Sequence, residues 1–330
     1  MEKRQFGRSG LEVSRLTFGC GAVGGLMTAG RADDQDRAVA WARDNGINHF
    51  DTAPLYGNCA SEENLGRALG KNRDGVIVST KVFLGEDDLD DPAAAIETSI
   101  EASLSRLNQD HVDLLQLHNP VSPTFQRGMS AAHILEVVVP AFEKLRDAGK
   151  TRFLGFTANG DTDDLHALVT CGQFDAAQIF FNALVPSAGT AIPPGYPAQD
   201  YRRLLNVARD NGVGSIGVRV LAGGALSGAT TRHPLGMKVV EPIGSDTDYP
   251  TDVVRAQIFQ PLIAAGHADS LPELALRYAI SNDALSTTEI GIATLDELQQ
   301  AASAVNKGPL SADAMADIRA VQKGFVGNTG

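Results

Sequence analysis

Cysteine is scarce in this chain: Cys20, Cys59 and Cys171 lie far apart and form no C-x-x-C pair, which excludes a disulfide scaffold and a structural zinc site and fits a reducing cytoplasm. Cys20 and Cys59 read as small buried apolar side chains rather than as groups lining a site. No apolar run approaches the roughly 18 residues of a membrane span, so no membrane partner is expected. Basic charge is short as well. There are 28 Lys and Arg against 40 Asp and Glu, a net charge of −12, and a nucleic-acid backbone asks for the opposite balance. The opening residues Met1–Arg8 carry charge with no apolar stretch behind them, so no signal peptide is expected. The single tryptophan, Trp41, falls in a helical segment and reads as packing. No internal repeat or low-complexity linker divides the 330 residues, and α/β barrels of this length commonly form one unit, so residues 1–330 read as one domain.

What is present is alternation. Short apolar or β-branched runs occur near 16–19, 47–51, 76–81, 112–118, 152–157, 176–181, 214–220 and 287–292, with amphipathic segments between them. Asp33-Asp34 opens a helix that Asn45-Gly46 ends, Asp91-Pro92 opens one that runs to Leu107, and Ser130 to Ala148 closes on Gly149. A further helix is expected from Gln199-Asp200 to Asn211-Gly212, and a last one from Ser311 to Phe325. Gly19-Cys20-Gly21-Ala22-Val23-Gly24 matches a dinucleotide fingerprint only superficially, because no acidic residue follows at the right distance. Eight strand–helix repeats therefore point to a (β/α)₈ (TIM) barrel, with a short N-terminal β-hairpin and an extra C-terminal helix, over an open doubly wound sheet. The long breaks at 119–130, 183–198 and 223–251 each follow a strand and are where substrate choice should reside.

Asp51, Lys81 and His118 each end one of these runs, and Tyr56 lies in the turn after the first of them, in Asp51-Thr52-Ala53-Pro54-Leu55-Tyr56-Gly57. In neighbouring parallel strands the four converge on one rim as a proton-transfer site. A tyrosine with a pKa of about 10 exchanges protons poorly at neutral pH. A nearby ammonium favours the phenolate, so Lys81 is expected to lower the Tyr56 pKa, with Asp51 holding Lys81 charged. The bland alternative is an Asp51–Lys81 salt bridge beside an unrelated Tyr and His. His49 shares the face of Asp51 one layer lower and reads as a packed barrel residue, whereas His233, in the seventh loop, is a candidate substrate contact.

These motifs, taken with Phe6-Gly7-Arg8-Ser9-Gly10-Leu11, Ser79-Thr80-Lys81, Asp113-Leu114-Leu115-Gln116-Leu117-His118 and Gly149-Lys150-Thr151-Arg152 in that order, resemble the aldo-keto reductases over nearly the whole chain. The resemblance implies hydride exchange between a nicotinamide and a carbonyl or alcohol carbon, on an aldehyde, ketone or aldose sugar. Tyr56 would be the general acid or base, and His118 would hydrogen-bond the substrate oxygen. It implies cofactor contacts at Gly21, Asp51, Thr157, Asn159, Gln178, Arg219, Leu221, Gly223, Gly291, Thr294 and Glu297. Several depart from the family's pattern: its Ser-Asn pair reads Thr157-Ala158 with Asn159 one residue late, its stacking aromatic reads Val218, and Arg219 stands where a Ser is common. Leu221-Ala222-Gly223-Gly224 matches the loop over the pyrophosphate. Ile290 to Ala301, the segment that clamps the 2′-phosphate of NADP in many members, carries no basic residue and has Gly291 and Glu297 where Lys and Arg are common. That composition favours NAD over NADP, unless Lys307 or Arg219 substitutes from elsewhere. NAD use favours a dehydrogenase, and the small or polar residues of 187–190 and 245–248 lean towards a polar substrate. Two other functions stay open: a lyase using Lys81 as a Schiff-base nucleophile, and a nucleotide-binding regulatory subunit with little turnover. Oligomeric state is not specified by the sequence.

Overall fold

The computed structural model describes residues 1–229 and 231–327. Strands β1 (Lys3–Gln5) and β2 (Glu12–Ser14) pair antiparallel as a hairpin. Eight further strands follow: β3 (Leu16–Gly19), β4 (His49–Asp51), β5 (Ile77–Val82), β6 (Val112–Leu117), β7 (Thr151–Thr157), β8 (Ala176–Phe180), β9 (Gly214–Val218) and β10 (Thr287–Gly291). They form one closed parallel barrel in which β10 pairs with both β9 and β3. Every residue of β5, β6 and β8 is buried, because helices cover their outer face and side chains fill the inner one, as a parallel barrel requires. Strand bounds agree with the expected runs to within about two residues. Among the described residues no helix is long and apolar enough to cross a membrane.

Local signals account for several helix ends. The Asp91 side chain accepts from the Ala94 amide, Pro92 occupies the first turn, and the helix Pro92–Leu107 stops at Asn108 in the left-handed conformation (φ 54°). It buries Ile96, Ile100, Leu104 and Leu107, a stripe at helical spacing. Ser130 caps the next helical run through the His133 amide. That run reaches Asp147 through a wider π-helical turn at Ile134–Val138, just ahead of Pro140, whose ring would clash with the carbonyl four residues back in a regular turn. The C-terminal helix spans Ala312–Lys323, capped by Ser311.

One expected helix begins late. The segment after β8 becomes helical at Leu204, not at Gln199, because Arg202 (φ 47°) and Arg203 (φ 58°) are left-handed. The residues before it are tied to other loops: the Tyr201 amide donates to Ser187 Oγ, the Arg203 amide to Ser187 O at 2.8 Å, and Gln199 Nε2 to Gly160 O.

The lower mouth of the barrel is plugged by the hairpin. Phe6 and Val13 pack there with Ile77, Leu114, Ala176 and Ile216. The seam between the first and last barrel strands is closed by Arg15, a fully buried guanidinium that donates to the carbonyls of Leu285, Ser286 and, at 2.6 Å, Ile280. The opposite mouth, where the C-terminal strand ends meet the long loops, is left for chemistry.

Candidate active site

Asp51 ends β4, Lys81 lies near the end of β5 and His118 follows β6. Register pairs Asp51 with Ser79 and Lys81 with Gln116, so all three side chains reach the upper layer of the barrel. Lys81 Nζ bonds the Asp51 carboxylate and donates to Thr52 O at 3.0 Å. Neither side chain of this ion pair has any exposed area. A buried pair adds little net stability over an apolar isostere, because desolvation offsets the Coulomb gain, so its presence in a barrel core points to function.

The Tyr56 ring stands over this pair, 4.8 Å from Lys81 Nζ to the ring centroid. His118 packs edge-on against the same ring at 5.7 Å and 86°. Its Nδ1 is buried with no hydrogen-bond partner, as is Gln116 Oε1. Asp51, Tyr56, Lys81 and His118 therefore converge as the sequence suggested. His49 does lie one layer below, as expected. His233 does not join the group: it is exposed, and its Nδ1 accepts from the Leu235 amide.

The electrostatics correct one expectation. Tyr56 is half-buried as a residue, but its hydroxyl end is deep. Burial pushes the phenol up to about 12, and the opposing pull of Lys81 only partly offsets it. Lys81 does favour the phenolate, yet the net shift is upward and not downward. Burial alone would pull the Lys81 ammonium down, but Asp51, followed by Tyr56 and Glu289, holds it above its ordinary range. An amine so paired with Asp51 is held protonated, which argues against a Schiff-base role for Lys81. Burial, reinforced by Lys81, drops His118 to about 3, so its ring is neutral at physiological pH. The Cys20 thiol, raised by burial and by the carboxylates of Asp51 and Glu289, is unreactive.

Beneath Asp51 runs a chain of hydrogen bonds with one possible direction. An ionised Asp51 only accepts, so Ser79 Oγ donates to Oδ1 at 2.7 Å. His49 Nε2 then donates to Ser79 Oγ (2.9 Å), Thr17 Oγ1 donates to His49 Nδ1 (2.9 Å), and Thr287 Oγ1 donates to Thr17 Oγ1 (2.8 Å). Gln116 Nε2 adds another donor to Asp51 Oδ1 at 2.9 Å. Burial lowers His49 to about 4, which keeps it in the neutral form this chain needs. Ser79, Gln116 and the neighbouring Glu289 were not among the expected site residues. Alternation marks them: each faces inwards two residues from another inward group.

Residues able to hold a nicotinamide dinucleotide line the same mouth. Thr157 Oγ1 donates to Gln178 Oε1 at 3.1 Å, which fixes that amide with one bond at each end and leaves a second N–H and lone pair for a ligand. Asn159 stands half-buried one residue beyond Ala158. Gly21 lies against Tyr56: a Cβ there would sit 3.7 Å from the ring. Val218 is only partly buried at the end of β9. Arg219 Nη1 donates to Glu241 O, and the chain turns through Leu221 to positive φ at Ala222, Gly223 and Gly224. Gly291 packs against the backbone of Gly24. Thr294 caps the helix Leu295–Asn306, and Glu297 Oε2 accepts from the Ala293 amide at 2.7 Å. Lys307 is held by Asp269 and Glu273, away from this segment. The polar lean of two loops is corrected: Ser187 and Ala188 are fully buried, and Ser245 and Thr247 bond Asp252, so both stretches serve the loops' own structure.

The sequence profile of the Aldo/keto reductase family matches residues 15–323. The chain is 29% identical to L-galactose dehydrogenase of Arabidopsis thaliana over 328 residues, covering 93% of this chain and 89% of that protein. It is 27% identical to the NADH-specific methylglyoxal reductase of Escherichia coli (strain K12), covering 95% and 96%. Among solved structures, aldo-keto reductase AKR11C1 from Bacillus halodurans in its holo form superposes with a TM-score of 0.72 at 25% identity, over 97% of this chain and 96% of that one.

Proposed function

Because the chain belongs to the aldo/keto reductase family and is an oxidoreductase of that kind, we propose that it interconverts a small carbonyl compound and its alcohol with a nicotinamide cofactor, Tyr56 moving the proton. The observation that carries this reading is the fully buried Asp51–Lys81 pair set 4.8 Å beneath the Tyr56 ring. A bound nicotinamide supplies or accepts the hydride. The chain's own residues do the rest. With its pKa near 12, Tyr56 keeps its proton at neutral pH and stands ready as the general acid of reduction. As the proton leaves, Lys81 meets the phenolate charge, and Asp51 keeps Lys81 charged and in place. The neutral His118 hydrogen-bonds the substrate oxygen and orients it, without serving as the proton source. In oxidation Tyr56 must first lose its proton, so that direction gains from higher pH.

We infer NAD over NADP. Glu297 sets a carboxylate on the Ala293 amide, at the end of a segment without basic residues, where a 2′-phosphate would meet it. Lys307 is committed elsewhere. The substrate class is a small aldehyde, ketone or aldose, in keeping with what the relatives' names say of those proteins. The cytoplasm is the compartment this reading assumes.

Fluorescence titration with NADH and NADPH, followed by an absorbance screen of aldoses, polyols and aldehydes, tests the proposal. Tyr56→Phe should lower turnover about 10²- to 10⁴-fold or more while leaving nucleotide affinity nearly unchanged. Near-normal activity of that variant would sink the assignment, and nucleotide binding with no turnover on any carbonyl would point to the binding-only role.

A further inference from the structure

Glu289 stands in the reactive layer with no part in the proton transfer described above. It lies on the inner face of β10, two residues above Thr287. Gln178 Nε2 donates to its Oε2 at 2.9 Å, and the Asp51 carboxylate is near enough to raise its affinity for a proton. Gly19 of β3 lies against Glu289: a Cβ there would fall 2.6 Å from the Ile290 carbonyl and 2.9 Å from Glu289 Oε1, so the close approach of β10 itself also requires a glycine. Packing does not require an acid here, since an aliphatic side chain would fill the layer without the desolvation a carboxyl suffers. Glu289 thus joins the two halves of the site, the Asp51–Lys81 pair that serves Tyr56 and the Gln178 amide that faces the cofactor.

We propose that Glu289 is a proton-carrying positioning residue, whose protonated carboxyl donates to Asp51 and accepts from Gln178 and so holds both halves in register. The proposal rests on the roles given above to Tyr56 and Gln178.

The charges around it fix the direction of its effect. Asp51 of β4, Lys81 of β5, Tyr56 after β4, Cys20 after β3 and Gln178 of β8 face it. Burial and then Asp51 push its carboxyl up to about 8, against the pull of Lys81 and the Gln178 bond. At neutral pH the cluster of Asp51, Lys81 and protonated Glu289 therefore carries no net charge. When Glu289 ionises, two carboxylates face each other across a lost hydrogen bond. The second negative charge raises both Tyr56 and Lys81, so the Tyr56 proton becomes harder to remove as the medium becomes more alkaline.

The test compares Glu289→Gln and Glu289→Leu with the wild type. Glutamine can still donate to Asp51 and accept from Gln178 but cannot titrate. The pH profile of alcohol oxidation by the wild type is expected to bend near pH 8, and that bend should be missing in E289Q. NADH affinity, read by fluorescence without any substrate, should weaken between pH 7 and pH 9 in the wild type and stay level in E289Q. E289L leaves the Gln178 donor unpaired and should bind NADH about tenfold more weakly, the worth of one hydrogen bond in a buried site. An E289Q that follows the wild type in both pH series overturns the proposal, even if E289L fails to fold. A wild type that turns over no carbonyl counts against the Tyr56 reading instead, and the nucleotide titration still decides the role of Glu289.

Discussion

At Glu297 the carboxylate accepts at 2.7 Å from the amide of Ala293, one residue ahead of the Thr294 cap, while the Glu297 amide donates to Thr294 Oγ1 at 3.2 Å, a variant of the helix-capping box shifted by one residue. A residue read from sequence as a charge opposing phosphate is also a structural cap. Glu297→Arg therefore has two effects of opposite use. Loss of the cap should lower stability by about 1 kcal/mol in a denaturant titration. A guanidinium at the positive end of the helix should strengthen NADPH binding relative to NADH by about tenfold or more. An unchanged ratio of the two affinities would mean that the adenosine end lies elsewhere. In the sequence Thr294 and Glu297 read as cofactor contacts and not as a cap. Whether the carboxylate points to its own backbone or to a ligand depends on how the chain enters the helix, and that is a matter of three dimensions.

The strands were the most legible elements, because each is a short apolar run bounded by turn residues and buried on both faces. What could not be read was how their inner faces combine. Asp51, Lys81 and His118 could be placed on one rim from strand ends alone, but the bonds from Thr287 through His49 to Asp51 cross four strands and depend on the stagger of the barrel. Glu289 escaped notice for the same reason: its partners lie on β4 and β8. The late helix start at Leu204 depends on loop contacts with Ser187 that no local pattern announces.

His49 gives this inner face a pH signature. In the fold its ring stays neutral down to about 4, against 6.5 for the ordinary ring. The unfolded chain therefore binds a proton first as pH falls. The stabilisation is fully present above pH 6.5 and is lost progressively towards pH 4, by up to about 3 kcal/mol. His118, also depressed, acts in the same direction. Urea unfolding of wild type and His49→Gln across this window should give a shallower acid slope for the variant. Equal slopes would place the acid sensitivity elsewhere.

On the scale of the whole molecule, barrel closure joins residues far apart in sequence. Arg15 reaches Ile280 across 265 positions, and its buried guanidinium is the fastener between the first and last barrel strands. Arg15→Met keeps the bulk and removes the donors, leaving buried carbonyls at the seam unpaired, a loss of about 3 kcal/mol. The expected result is a lower denaturation midpoint with an unchanged slope. A midpoint like that of the wild type would mean that the seam is held by strand pairing alone. A shallower slope would reveal a barrel that opens in stages.

The chain of donors that ends on Asp51 has a consequence for speed as well as for shape. Water around an ionising phenol would have to turn its dipoles as the charge moves, and that turning is a large part of the barrier in solution. Here Thr287, Thr17, His49 and Ser79 already point the same way, locked by β10, β3, β4 and β5. With Tyr56 moving the proton as proposed, the barrel core would act as a solvent frozen in one orientation, and the work of reorganisation would be done once, when the protein folds, and not again at each turnover.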